Sequence, residues 1–544
     1  MTVLSEHCPK GVNQSHATRA IESEPSGTTR SLDDTDYLFL LADLLGNHLP
    51  ELLFKRTILL RWNEDGEEER FTLSEAGLDG QLVSMLSSED TLQNTLSSFR
   101  CSYGKFQQWA IPSDASVPTV SRQQRSDLCV NAAKWVCFAF PRIMDLEPQY
   151  QYLVESLFPL LDHVLVSLEG VNISATVKDE IAEVLLAACR IDSVRQDALS
   201  KVTTFLDDES PPYLRASLAL GKSTWLRLSG DYKNSEYAIH NFYCQCGSLK
   251  DECFPNAFGS LPSETSGRLR ALHGLLHRSH LENLVQCERN RLATSQIEDW
   301  KMPRSASAME QNALATIMLT CCKIHRSQRD FESIRLLLEH SLQRLKGSES
   351  VYYQMFCQLL DAYTDLELPQ NFESLIRSTK WRLLRKTSSA YRRVLVCSLD
   401  ADLQREHFDD AKNNIIILFQ TFQALQPVNV SDQLLHMRVL VASARIRQLC
   451  SEFDQAICEW NDALECVQRY ASFSGEGFTY AAIHLSISLA YLMVDKNENA
   501  RESFERGQRI LHQGKRDYWI PTLPAWVHYV TVKIQDLTAW DCYF

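Results

Sequence analysis

Apolar residues recur at helical spacing along this chain, and a short polar phrase interrupts them at regular intervals from Gln311 to about Leu511. The clearest stripe is Phe453, Ala456, Ile457, Trp460, Ala463, Leu464 and Val467, at i, i+3, i+4, i+7, i+10, i+11 and i+14. That spacing predicts a helix with one buried face. The stretch before it, Leu434 to Leu449, predicts a second and almost wholly apolar helix, with Arg438, Arg445 and Arg447 as a narrow wet edge. The phrase between such helices reads Asp330-Phe331-Glu332, Asn371-Phe372-Glu373, His407-Phe408-Asp409 and Glu452-Phe453-Asp454, with steps of 41, 36 and 45 residues between the aromatics. A worn copy follows at Lys496-Asn497-Glu498, and an early one stands at Asp231-Tyr232-Lys233. Periods of this size mean stacked helix pairs, each of which buries its apolar face only against its neighbours.

The predicted fold class is therefore all-α: a tetratricopeptide-like helical-repeat solenoid over residues 209–540, with repeats longer than the usual length. Residues 1–35 are too polar to pack and read as a disordered tail. Residues 36–115 carry two apolar helical segments, Tyr37 to Leu45 and Leu49 to Leu60, a third helix near Leu92 to Phe99 and an alternating stretch near Cys101 to Ile111. That order predicts a winged-helix-like unit. Residues 116–208 read as a helical connecting region, with helices expected from Ser126 to Phe140, Tyr150 to Val166, Val177 to Arg190 and Ser193 to Phe205. Residues 246–265 read as a loop, with Pro255 and Pro262 and little periodicity.

Composition narrows the function. The sparse 19 Gly and 17 Pro disfavour a β-rich fold or a nucleotide-binding sheet, and a net charge of −14 argues for protein partners over nucleic acid. The helix expected at Thr91 to Phe99 holds no Arg or Lys before its end to meet phosphate. Most of the 17 cysteines, among them Cys137, Cys189, Cys357, Cys397 and Cys458, lie singly on predicted helices, where a thiol serves as a small apolar group. With no signal-like N-terminus and no apolar run of membrane-spanning length, an intracellular, cytoplasmic protein is expected, the nucleus also being open to it.

Candidate chemistry is thin. Ala216 to Ser223 ends in Gly221-Lys222-Ser223 and loosely matches a phosphate loop, but Leu218, Ala219 and Leu220 are helix formers and Pro211-Pro212 stands where a strand is needed. His240, Cys244, Cys246 and Cys253 offer soft ligands on a spacing that no standard zinc finger uses, so buried thiols are expected. His273, His277 and His280 are expected on a solvated helix face, with no Glu placed between the first two for hydrolysis. No catalytic residue, cofactor or metal follows from the sequence. The one electrostatic feature is a basic cluster of Arg377, Lys380, Arg382, Arg385, Lys386, Arg392 and Arg393, with Trp381 and Tyr391 interleaved. It is the candidate partner-binding set, suited to an acidic peptide or phosphate, against the alternative of a solvated helix edge.

Ser126 through Pro141, the phrase Cys322 to Phe331, the helices around Phe453 and Trp460, and Lys515 to Ile520 before a last helix with Trp526 together resemble a known family. They look like the C-terminal half of fungal NB-ARC or NACHT-type STAND proteins, a winged helix followed by tetratricopeptide-like repeats. Members carry an ATPase domain upstream, and nothing in this sequence corresponds to it. The resemblance implies a sensor and scaffold region without its motor, either a shortened relative or the product of a partial gene, and leaves open a regulatory remnant that acts with a full-length relative. The expectation is a non-enzymatic scaffold or adaptor whose concave face binds an extended peptide or partner helix. Nucleotide binding through Gly221-Lys222-Ser223 is the weaker alternative.

Overall fold

The computed structural model describes residues 32–540 except 47, 99–101, 104–107, 111–117, 144–148, 246–265, 288, 302–304, 345–348, 387, 426–429, 470–476, 514–519 and 539. Residues 1–31 of the expected tail and the expected loop at 246–265 lie outside the described residues, while Asp34 and Thr35, expected in the tail, already belong to the first helix, capped by Asp33. In chain order the first elements are α1 (Asp34–Leu44), β1 (His48–Pro50), α2 (Glu51–Lys55), β2 (Ile58–Trp62), β3 (Glu68–Thr72), α3 (Gly80–Ser87), α4 (Glu89–Ser98), β4 (Ser102–Tyr103), β5 (Gln108–Ala110), α5 (Arg122–Ala139), α6 (Tyr150–Ser167), α7 (Ala175–Ala188) and α8 (Arg195–Phe205). Then come α9 (Pro212–Leu228), α10 (Tyr232–Gln245), α11 (Gly267–Gln286), α12 (Asn290–Gln296), α13 (Ala308–Ser327), α14 (Phe331–Arg344), α15 (Glu349–Asp365), α16 (Pro369–Ser378), α17 (Ser389–Gln404), α18 (Phe408–Leu425), α19 (Val430–Leu449), α20 (Phe453–Arg469), α21 (Phe478–Leu492), α22 (Asn497–Gln513) and α23 (Leu523–Leu537). The protein is an all-α repeat solenoid with little sheet. Its described residues divide into two compact units, one drawn from 1–58, 72–140 and 156–177, the other from 59–71, 141–155 and 178–544.

In the first unit, β1, β5 and β4 form an antiparallel sheet in the order β1-β5-β4, with His48 opposite Ala110 and Tyr103 opposite Trp109. Leu41, Leu45, Leu53, Leu82 and Met85 are buried, and Phe54 meets Trp135 of α5 edge-on at 5.4 Å between ring centroids. The stretch Leu49 to Leu60 is not the single helix its apolar content predicts. Pro50 holds extended backbone at ψ 142°, and Arg56 is extended again at ψ 105°, so only the five residues of α2 coil between them.

The second unit is built from helix pairs, and one turn geometry recurs in it. Gly230, Arg329, Glu367, Glu406, Ser451 and Asp495 all have φ between 55° and 82°, and each stands two residues before a second helix begins. The amide following each donates to the carbonyl five residues earlier, as in Asp330 to His325 at 2.9 Å, Glu452 to Arg447 at 2.9 Å and Lys496 to Tyr491 at 3.0 Å. These are Schellman closures, and they satisfy the last carbonyls of each first helix. The last five of these residues step by 38, 39, 45 and 44. In the pair α15/α16 the turn falls at Glu367, so Phe372 lies inside α16 and not at its start, out of phase with Phe331, Phe408 and Phe453. First helices pack on first helices, α13 on α15, α15 on α17 and α17 on α19. Their shared interior runs from Ala315 to Ile446 and continues into a second cluster around Trp460, Leu485 and Trp526.

A β-hairpin from early in the sequence belongs to this unit. The β2–β3 turn carries Gly66 at φ 79°, which its reversal requires. Its tip lies on two helix N-termini: Arg268 N–H donates to the Glu64 carbonyl at 3.0 Å, and Met309 N–H donates to the Gly66 carbonyl at 3.0 Å. The hairpin thereby satisfies amides that α11 and α13 leave open. Gly267 passes so close to Asp65 that a Cβ there would collide with the Asp65 carbonyl.

Candidate functional site

The basic set splits. Arg392 turns inward on α17 and pairs with Asp432 at 2.7 Å, both side chains buried. Arg393, beside it, is half-buried. Trp381 is buried against Tyr391, with ring centroids 5.6 Å apart, and serves as an anchor more than a contact surface. It begins a short 3-10 turn, Trp381–Leu383, and Leu384 follows it into the core.

With Trp381 and Leu384 facing in, Lys380, Arg382, Leu383, Arg385 and Lys386 face out. The α16–α17 connection from 377 to 386 therefore presents five cations. Arg377 is exposed and reaches the half-buried Glu373 at 3.4 Å, and Arg382 lies 5.7 Å from the Trp381 ring. Lys380, Arg385 and Lys386 form no ion pair with any described residue. Leu383 stands among them 80% exposed. Ser388 closes the segment as N-cap of α17, accepting from the Tyr391 N–H at 3.2 Å. Five positive charges in ten residues, on a chain of net charge −14, make a local field of the opposite sign to the whole.

Two of the three arginines expected on a wet edge of α19, Arg438 and Arg445, are instead interior. Arg438 donates to Asp361 of α15 at 2.8 and 3.0 Å and to Asp400 of α17 at 3.0 and 2.5 Å, all three side chains buried. Burial opposes its charge, but the two carboxylates hold it well above the ordinary arginine range. Arg326 of α13 donates to Asp365 of α15 at 2.8 Å. Arg445 is also buried, and burial pulls it down to about 10, Asp400 holding part of that back. The reason is the array itself, which places carboxylates of neighbouring first helices where α19 alone would meet water. Arg447 keeps to the turn, where it pairs with Glu452 and Glu459.

The remaining candidates disperse. Gly221, Lys222 and Ser223 lie within α9, where no loop forms. Ser223 is buried, 2.8 Å from Ser235 and 2.9 Å from Ser279. His273, His277 and His280 are buried, which corrects the expected solvated face: α11 is packed by α9 on one side and α13 on the other. Tyr243 hydroxyl lies 2.9 Å from His273 Nδ1, and His280 lies between Glu236 and Gln296. His240 and Cys244 are exposed on α10, so Cys244 is not the buried thiol expected, while Cys246 and Cys253 lie outside the described residues. Among the described residues no group of three metal-ligating side chains comes together. The twelve described cysteines form no disulfide with one another; Cys137, Cys189, Cys321, Cys322, Cys357 and Cys397 are buried, but Cys458 is exposed. Burial pushes the Cys189 and Cys321 thiols up to about 12, so neither is a nucleophile. No helix among the described residues is long and apolar enough to cross a membrane. No protein-family model matches the sequence, and no curated protein matches it.

Proposed function

We propose that the protein is a non-enzymatic scaffold that docks an acidic segment of a protein partner on its α16–α17 connection. The observation that carries this reading is the run of five exposed cations around an 80% exposed Leu383, held in place by buried Trp381. Such a surface favours a carboxylate-rich peptide with one apolar residue, the charges steering approach and Leu383 fixing register. The 3-10 turn fixes the backbone at Arg382 and Leu383, which lowers the ordering cost of binding there. The test is fluorescence anisotropy with a labelled Glu/Asp-rich peptide containing one leucine. The expected result is binding that weakens steeply with salt and falls about tenfold or more in Lys380→Glu/Arg382→Glu/Arg385→Glu/Lys386→Glu. Equal affinity of wild type and the reversed variant would overturn it.

A second reading, a regulatory relative of STAND proteins, is favoured by one observation. The order α1-β1-α2-β2-β3-α3-α4-β4-β5, with β5 between β1 and β4, resembles a winged helix interrupted by α2 and the β2–β3 hairpin, and a helical array follows it in the chain. The reading entails mixed oligomers with a full-length relative, which size-exclusion chromatography of the two co-expressed chains detects. Nucleic acid is a poor partner for this unit, since α4 begins with Glu89 and Asp90 and holds no cation.

A further inference from the structure

Helix α23 stacks on the array as an ordinary first helix. Trp526 donates from Nε1 to Ser486 of α21, 40 residues earlier, at 2.9 Å, and stacks on Trp460. The turn before it does something else. Ile520, Pro521 and Thr522 are buried, and Thr522 contacts helices far from its own neighbours. Its N–H donates to Asp365 Oδ1 at 2.9 Å, across 157 residues, and its hydroxyl accepts from Arg445 Nη1 at 3.1 Å, across 77. The turn thus bridges Asp365 of α15 and Arg445 of α19, which lie on either side of α17, and α15 is three first helices away from α21.

Thr522 has φ 61° and ψ −3°, a left-handed conformation that a β-branched residue rarely adopts. A strained residue persists only where its surroundings hold it, and such sites cluster where a segment is clamped. Both clamping groups are charged and more than nine-tenths buried: the Asp365 side chain is 4% exposed and Arg445 is 6% exposed. Asp365 is set by Arg326, which occupies its other oxygen. Arg445 lies 5.0 Å from the Trp526 ring, and its Nε has no hydrogen-bond partner among the described residues. A carboxylate taking a backbone N–H, and a guanidinium giving to a hydroxyl, are charge-assisted contacts that can hold a peptide turn in one conformation.

We propose that the Asp365–Arg445 face is a peptide-binding site filled by the chain's own Ile520-Pro521-Thr522 turn, and that a partner segment of the same chemistry competes for it. That chemistry is a branched apolar residue followed by a hydroxyl-bearing residue whose backbone N–H is free. The site is distinct from the 377–386 connection, and its test does not depend on that surface.

The test uses the full chain and a labelled peptide, Trp-Ile-Pro-Thr-Leu-Pro, the sequence of residues 519–524. In Thr522→Pro the donor to Asp365 is removed and a positive φ is forbidden, so the turn is released while the site stays intact. The variant is expected to bind the peptide about tenfold or more tighter than wild type, and adding Arg445→Met is expected to erase the gain. Hydrogen exchange read alongside is expected to show α15 and α19 still protected. Retained protection with no gain in binding, or a gain that survives Arg445→Met, overturns the proposal. So does loss of protection throughout α15 to α23, which makes the turn a structural closure and not an occupant.

Discussion

Arg382 and Arg438 lie in the same array and have opposite fates. Arg438 is buried between two aspartates of two other repeats, whereas Arg382 is exposed on a connection with no carboxylate in reach. Local sequence does not separate them, since both sit among apolar residues and other cations. What separates them is whether the neighbouring first helices supply an acid at one or two repeats' distance. Asp400 is 38 residues from Arg438 and Asp361 is 77, while Arg326 and Asp365 are 39 apart. Other connections do have a stacked counterpart, as where Lys496 pairs with Asp454 of the preceding repeat at 3.6 Å, but Lys380, Arg385 and Lys386 meet no carboxylate among the described residues, and their charge stays free for a partner.

The comparison breaks first at Arg438. Arg438→Met leaves Asp361 and Asp400 buried without a counter-charge, and about 3–5 kcal/mol of stability is expected to be lost. A urea titration checks this through a lower midpoint, and adding Asp361→Asn and Asp400→Asn is expected to restore part of it. A cost below about 1 kcal/mol would mean that the interior charges do not hold the repeats together.

Acid probes the interior in another way. Burial holds His273 and His277 down at about 4, below 6.5 for a free imidazole. The unfolded chain therefore takes up protons first as pH falls, so the stability from two neutral rings is complete above about 6.5 and is lost progressively down to about 4. Each contributes on the order of 3 kcal/mol over that window. His277→Leu is expected to flatten the pH dependence of the unfolding midpoint by about one proton.

Gly267→Ala comes next, because its Cβ would strike the Asp65 carbonyl and lift the hairpin from α11 and α13. About 1–3 kcal/mol is the expected cost, seen as a lower thermal midpoint. At the small end, Lys380→Ala, Arg382→Ala and Arg385→Ala are each expected to move stability by no more than about 0.5 kcal/mol while weakening the acidic peptide. A larger shift in the midpoint would make the connection structural.

Much of the array was legible because its signal is local. Ala456, Ile457, Trp460, Ala463 and Val467 form the buried stripe their spacing predicts, and α9, α13 and α20 fall near where periodicity and the aromatic phrase place them. What escaped the sequence depends on distance. Nothing near Arg438 announces Asp361, and an amphipathic reading sends an arginine to water by default. The hairpin at 58–72 was hidden because Ile58-Leu59-Leu60 follows α2 without a glycine or a further proline. In the candidate set, the exposed half was readable as charge, but which cations turn inward was decided by Asp432, 40 residues beyond Arg392.

The recurrent turns carry a last consequence. Of the six residues that close these helix-pair turns, Arg329, Glu367, Glu406, Ser451 and Asp495 carry side chains at a left-handed position that glycine adopts without steric cost. Each is a place where the chain accepts about 1 kcal/mol of steric cost that one codon change could relieve. Spread over five junctions, this is thermodynamic headroom, and drawing on it would remove the exposed charges of Arg329, Glu367, Glu406 and Asp495.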